Sequence, residues 1–83
     1  MDEMTNEYYV YIGPSLRGVI QKGAIYTGTR AEVEEFLAEA ITRFPRIRKL
    51  LVSGETLAVD RIEVQTPGTR LYNEYRKLAA GLK

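Results

Sequence analysis

Apolar and polar positions alternate in an order that spells out a small mixed domain. Tyr8-Tyr9-Val10-Tyr11-Ile12 is dominated by β-branched and aromatic residues, which suit a pleated surface. It predicts a strand with Tyr8, Val10 and Ile12 on one face and Tyr9 and Tyr11 on the other. Gly13-Pro14-Ser15 ends it, because proline donates no ladder hydrogen bond. Val19 to Thr27 is extended again, broken at Lys22-Gly23. It reads either as a hairpin of Val19–Gln21 with Ile25–Thr27 or as one strand with a glycine bulge.

Helical spacing follows. Thr29 and Glu32 stand at capping-box distance. Val33, Phe36, Leu37, Ala40, Ile41 and Phe44 then form one apolar stripe. Glu32, Glu34 and Glu35 lie at the positive end of the helix dipole and Arg43 at the negative end. Pro45 stops the helix, which is predicted over 29–44. Leu50-Leu51-Val52 is an unbroken apolar run and predicts an interior strand covered on both faces. Parallel pairing with the strand before the helix would imply a right-handed crossover. ETLAVDRIEVQ (55–65) fits a strand or a helix capped by Ser53, with a slight lean to helix. Thr66-Pro67-Gly68-Thr69 is a turn. Leu71, Tyr72, Tyr75, Leu78, Ala79 and Leu82 repeat the helical spacing and predict a C-terminal helix over about 69–82.

These elements predict an α+β fold with a two- or three-stranded sheet, the helix 29–44 packed on it and the last helix closing the core. The chain, at 83 residues, is expected to form one domain over 8–83, with 1–7 a frayed polar tail. Such a small domain buries a modest fraction of its surface. With no cysteine and no histidine it lacks both disulfide and thiolate–zinc staples. Self-association is the remaining common means of adding buried surface.

Composition narrows the chemistry. Without histidine or cysteine there is no Ser–His or Cys–His pair, and the acidic residues of 32–39 belong to a solvated helix face. No enzyme activity, catalytic residue, metal or cofactor is expected. No apolar run approaches the roughly 20 residues of a membrane span, and MDEMTNE lacks the apolar core of a secretory signal. A cytoplasmic location follows as an expectation.

Three features remain as candidate sites. Tyr9 and Tyr11, with the glycine-bounded loop that carries Ser15 and Arg17, form a candidate interaction surface, since tyrosine is favoured at interfaces. Arg43, Arg46, Arg48 and Lys49 form a basic knot able to contact anions or nucleic acid. The net charge of +1 gives no independent support for a polyanionic partner, and cations are stabilising at a helix C-terminus in any case.

The string from Tyr9 to Pro14 (YVYIGP), the turn Gly23 to Gly28, Phe44-Pro45, and the stretch Pro67 to Tyr72 together resemble a family of small proteins of tailed bacteriophages and prophages. The resemblance spans about 8–80 and rests on structural punctuation. It implies a structural or interaction role among virion-assembly proteins, incorporation in a virion included, and carries over no functional residues. The leading expectation is therefore a non-enzymatic protein-interaction or structural module. A weak nucleic-acid-binding module using 43–49 and a small inhibitor of a host protein are the alternatives.

Overall fold

A computed structural model of the chain describes residues 7–83. Its centre is a three-stranded antiparallel sheet in the order β2-β1-β3, with β1 at Tyr8–Tyr11, β2 at Ile25–Thr27 and β3 at Leu51–Ser53. Odd and even residues of β1 serve different neighbours. The Tyr11 amide donates to the Ala24 carbonyl and Tyr9 pairs with Tyr26. The Ile12 amide donates to the Leu50 carbonyl, the Gly54 amide donates to the Tyr8 carbonyl, and Val10 pairs with Val52. The tail expected over 1–7 lies outside the described residues except at Glu7, whose carbonyl accepts from the Gly28 amide and extends the β1–β2 ladder.

Two expectations about strands are corrected. Val19–Gln21 neither pairs with Ile25–Thr27 nor joins it as one bulged strand. Ile20 instead bridges back to Leu16 and closes a narrow loop, which sinks Ile20 into the core. The turn at Lys22-Gly23, held by the Gly23 amide on the Tyr11 carbonyl, then returns the chain so that β2 pairs with β1. Nor is β3 interior in the sheet or parallel to a hydrogen-bonded neighbour. Both β2 and β3 run antiparallel to β1, so they share a direction but are separated by β1. Leu51 and Val52 look like interior-strand residues because both faces of the sheet are covered at β3; both are buried although β3 is an edge.

The helix expected over 29–44 is present as α1 (Arg30–Phe36) and α2 (Ala38–Arg43), which turn at Leu37. The capping box is formed as predicted: the Glu32 amide donates to Thr29 Oγ1 at 3.2 Å and the Thr29 amide donates to Glu32 Oε1 at 2.9 Å. Val33, Leu37 and Ile41 are buried in the core with Val10, Tyr11 and Leu51. Phe36 departs from the predicted stripe and is 76% exposed. Its ring meets Tyr26 at 5.9 Å between centroids, over the outermost strand, where the sheet ends and nothing among the described residues covers it.

Pro45–Leu50 winds into a 3-10 helix, with proline in its first turn, where its missing N–H is no loss. Ile47 and Leu50 of that turn are fully buried. The ambiguous segment is helical: α3 spans Leu57–Glu63 and buries none of its residues completely. The last helix, α4, spans Arg70–Ala79 behind a Thr69 cap. It is shorter than the predicted 69–82, ending ahead of Gly81 (φ 93°) and leaving Leu82 exposed.

Candidate functional site

The tyrosine pair read as an interface is not free. Tyr11 is completely buried, and its hydroxyl donates to the Pro14 carbonyl at 2.7 Å. Tyr9 is half-buried with the Arg30 guanidinium 5.5 Å above its ring. α1 and the 3-10 helix cover this sheet face, through Arg30 and Leu50. Desolvation holds the Tyr11 phenol well above its usual 10.0, and the neighbouring Tyr75 and Tyr26 add to the shift.

The glycine-bounded loop is likewise occupied with its own closure. Ser15 Oγ accepts from the Lys22 amide at 3.0 Å, so its hydroxyl ties the loop to the following turn. Arg17 stands exposed at the loop tip.

The basic knot folds inward on carboxylates. Arg46 Nη1 donates to Glu74 Oε1 at 2.6 Å and Lys49 Nζ lies 3.7 Å from Glu74 Oε2. Arg48 stands 3.8 Å from Glu34, and Arg43 sits over the Phe44 ring. Glu74 is 8% exposed. Burial alone would raise its carboxyl pKa, but the Arg46 hydrogen bond, with the charges of Lys49, Arg46 and Lys77, holds it below the usual carboxylate range. The knot therefore pins the 3-10 helix to α4, three of its four cations sharing two carboxylates, Glu74 and the Glu34 that also pairs with Arg30.

What the fold assembles instead is a cleft of about 350 Å³ between β1, the 22–23 turn, α3 and α4. Val10, Ile12 and Val64 supply apolar lining, and Tyr72 and Tyr75 line it from α4. Three cations surround this lining: Lys22 from the turn, Arg61 from α3 and Arg76 from α4. Lys22 Nζ donates to the Tyr75 hydroxyl at 3.2 Å and lies 5.1 Å from that ring's centroid. Arg76 repeats the arrangement one turn away, with Nη1 donating to the Tyr72 hydroxyl at 3.1 Å and the guanidinium 5.7 Å from the ring. Among the described residues no carboxylate lines the cleft. Among the described residues none of these three cations is ion-paired.

Sequence reasoning does not reach this site. Tyr72 and Tyr75 fit the inward stripe of a helix, Lys22 reads as a turn residue, and Arg61 lies in the segment of ambiguous period. The one local signal is Tyr72 with Arg76, four residues apart on a helix and so able to touch.

Among the described residues no group of three or more acidic, histidine or cysteine side chains comes together to hold a metal. No helix among them is long and apolar enough to cross a membrane. In comparison with known proteins, no family model, no curated sequence and no solved structure matches this chain.

Proposed function

We propose that this protein is a non-enzymatic interaction module whose cleft binds an acidic, apolar-anchored segment of a protein partner. The observation that carries this reading is the convergence of Lys22, Arg61 and Arg76, from three separate elements, around an apolar and tyrosine-lined cleft that no carboxylate among the described residues lines. Cations at the rim attract and orient an acidic segment, while burying an apolar side chain supplies affinity. The resemblance of the chain's punctuation motifs to phage and prophage proteins supports a structural or interaction role of this kind.

A nucleic-acid ligand is served less well. Base stacking needs an accessible aromatic face, and Tyr72 and Tyr75 each already carry a cation over the ring. In the knot at 43–49, the other candidate for phosphate contacts, Arg46, Arg48 and Lys49 each already face a carboxylate of the fold.

The test is an NMR titration of the labelled protein with peptides that place Leu or Phe between Asp and Glu residues, run beside a single-stranded oligonucleotide. The expected result is saturable shifts at Gly23, Val64, Gln65 and Tyr75 with the peptides, weakened about tenfold or more in an Arg61→Glu/Arg76→Glu double variant and reduced by added salt. Tighter binding of the oligonucleotide at the same residues would transfer the site to nucleic acid. The absence of cleft shifts with either ligand would reject the reading.

A further inference from the structure

The two edges of the sheet are finished differently. On β3, the residues that face away from β1 are Leu51 and Ser53, since Val52 is the one bonded to Val10. The Leu51 carbonyl is taken by Arg30, whose Nη1 donates to it at 2.6 Å while Nη2 donates to the Arg48 carbonyl at 2.7 Å. A charged side chain laid on an edge is one of the ways proteins block further strand pairing.

β2 has no such cover among the described residues. The bonds from the Tyr11 amide to Ala24 and from the Gly28 amide to Glu7, with the Tyr9–Tyr26 pair between them, turn residues 24, 26 and 28 toward β1. Ile25 and Thr27 therefore point their N–H and C=O groups outward, and no described group bonds to them. Ile-Tyr-Thr contains no charge and no proline. Two of the most exposed apolar residues lie on it and beside it, Ile25 at 66% and Phe36 at 76%, on a groove of about 440 Å³ shared with Tyr26, Thr27, Glu32 and Val33.

We propose that this edge is the seat of a homodimer in which β2 of two copies pairs antiparallel across a two-fold axis at Tyr26, joining the sheets. The free groups select an extended strand as the occupant, because only a strand satisfies outward donors and acceptors two residues apart. They select a second copy because the edge is self-complementary: with Tyr26 on the axis, Ile25 of each copy faces Thr27 of the other, and every outward N–H meets an outward C=O. The uncharged strands bring no like-charge pair to that axis, and the one carboxylate lining the groove, Glu32, is engaged by the Thr29 amide in the capping box. The same operation sets the two Tyr26 rings together on the face that carries Phe36, and covers Ile25 on the opposite face. A small domain without disulfides gains buried surface by such pairing. None of the groove's lining residues belongs to the cleft, so this inference is independent of the proposed ligand.

Sedimentation equilibrium of the full chain across micromolar to submillimolar concentrations tests it, together with two single variants. Thr27→Pro deletes an outward N–H that the β1 ladder does not use, and Phe36→Glu places a charge at an exposed position. Each is checked for native circular dichroism. The expected result is a monomer–dimer equilibrium in the wild type, with the dissociation constant raised about tenfold or more in both variants. Concentration-dependent protection of the Ile25 and Thr27 amides from exchange accompanies it. A wild-type monomer at every concentration overturns the proposal. A dimer that Thr27→Pro leaves intact, or in which those two amides exchange freely, overturns the strand-paired arrangement. Should Thr27→Pro fail to fold, Phe36→Glu and the wild-type amide exchange decide the matter.

Discussion

Tyr11 and Gly13 act as one unit. The Tyr11 ring folds back beneath Gly13, where an added Cβ would stand 2.6 Å from the ring and 2.8 Å from Leu50 Cδ1, and its hydroxyl closes on Pro14. Gly54 shows the same relation to Tyr8, whose ring leaves only 2.2 Å for a Cβ. Gly13→Ala is expected to destabilise the protein by about 1–3 kcal/mol through overpacking. Tyr11→Phe is expected to cost about 1–2 kcal/mol by leaving the Pro14 carbonyl unpaired. Urea denaturation reads both. The Tyr11 phenol also sets an alkaline limit. The native state keeps a proton that the unfolded chain releases near the usual 10.0, so the native state binds more protons and stability falls as pH rises past about 10. In an ultraviolet titration one tyrosine is expected to resist ionisation until unfolding, and that resistance is expected to be absent in Tyr11→Phe. The Tyr-x-Gly-Pro string is visible in the sequence as a strand stop; that its glycine makes room for a ring two residues earlier is not.

At the scale of elements, α4 is held by a carboxylate that a stripe counted from apolar residues leaves out. Glu74 stands three residues after Leu71 and four before Leu78, on the buried face of the helix, and its charge is met there by Arg46 and Lys49 of the 3-10 helix. The pair is not ideal, since Arg46 Nε is buried without a partner among the described residues. Glu74→Ala is expected to cost about 2–3 kcal/mol by leaving Arg46 uncompensated. Because the Glu74 pKa is depressed, its contribution is present above the ordinary carboxylate value of 4.5 and is lost as pH falls through the lower folded value. Acid unfolding of Glu74→Ala, followed by circular dichroism, is therefore expected to show a shallower pH dependence than the wild type. The capping box of α1 was fully legible, since Thr29 and Glu32 need only each other. The exposure of Phe36 was not, because helical period gives the direction of a side chain and says nothing about where the sheet beneath it ends.

At the scale of the whole molecule, the cleft rests on a weakly anchored wall. α3 contributes Arg61 to the cleft while burying none of its residues completely, and Val59 and Ile62 are 59% and 69% exposed. Helices with few buried contacts open locally at low free energy. Amide exchange is expected to be fastest in α3 among the four α-helices of the free protein, and to slow there when an acidic peptide fills the cleft. Equal protection of α3 and α4 in the free protein would contradict this.

The sequence alone determined what depends on neighbours within a few residues: the α+β class, the first strand, the capped helix, the proline stop and the C-terminal helix. Caps, stripes and turns are local, so their residues carry the whole signal. Tertiary structure alone decided the strand order, the pairing of the basic knot and the assembly of Lys22, Arg61 and Arg76 into one cleft. The same β1 could have paired with either of two later segments, and on a sheet both of its edges were filled. Which cations are paired and which stand free then follows from distances between residues far apart in the chain, and no local pattern contains those distances.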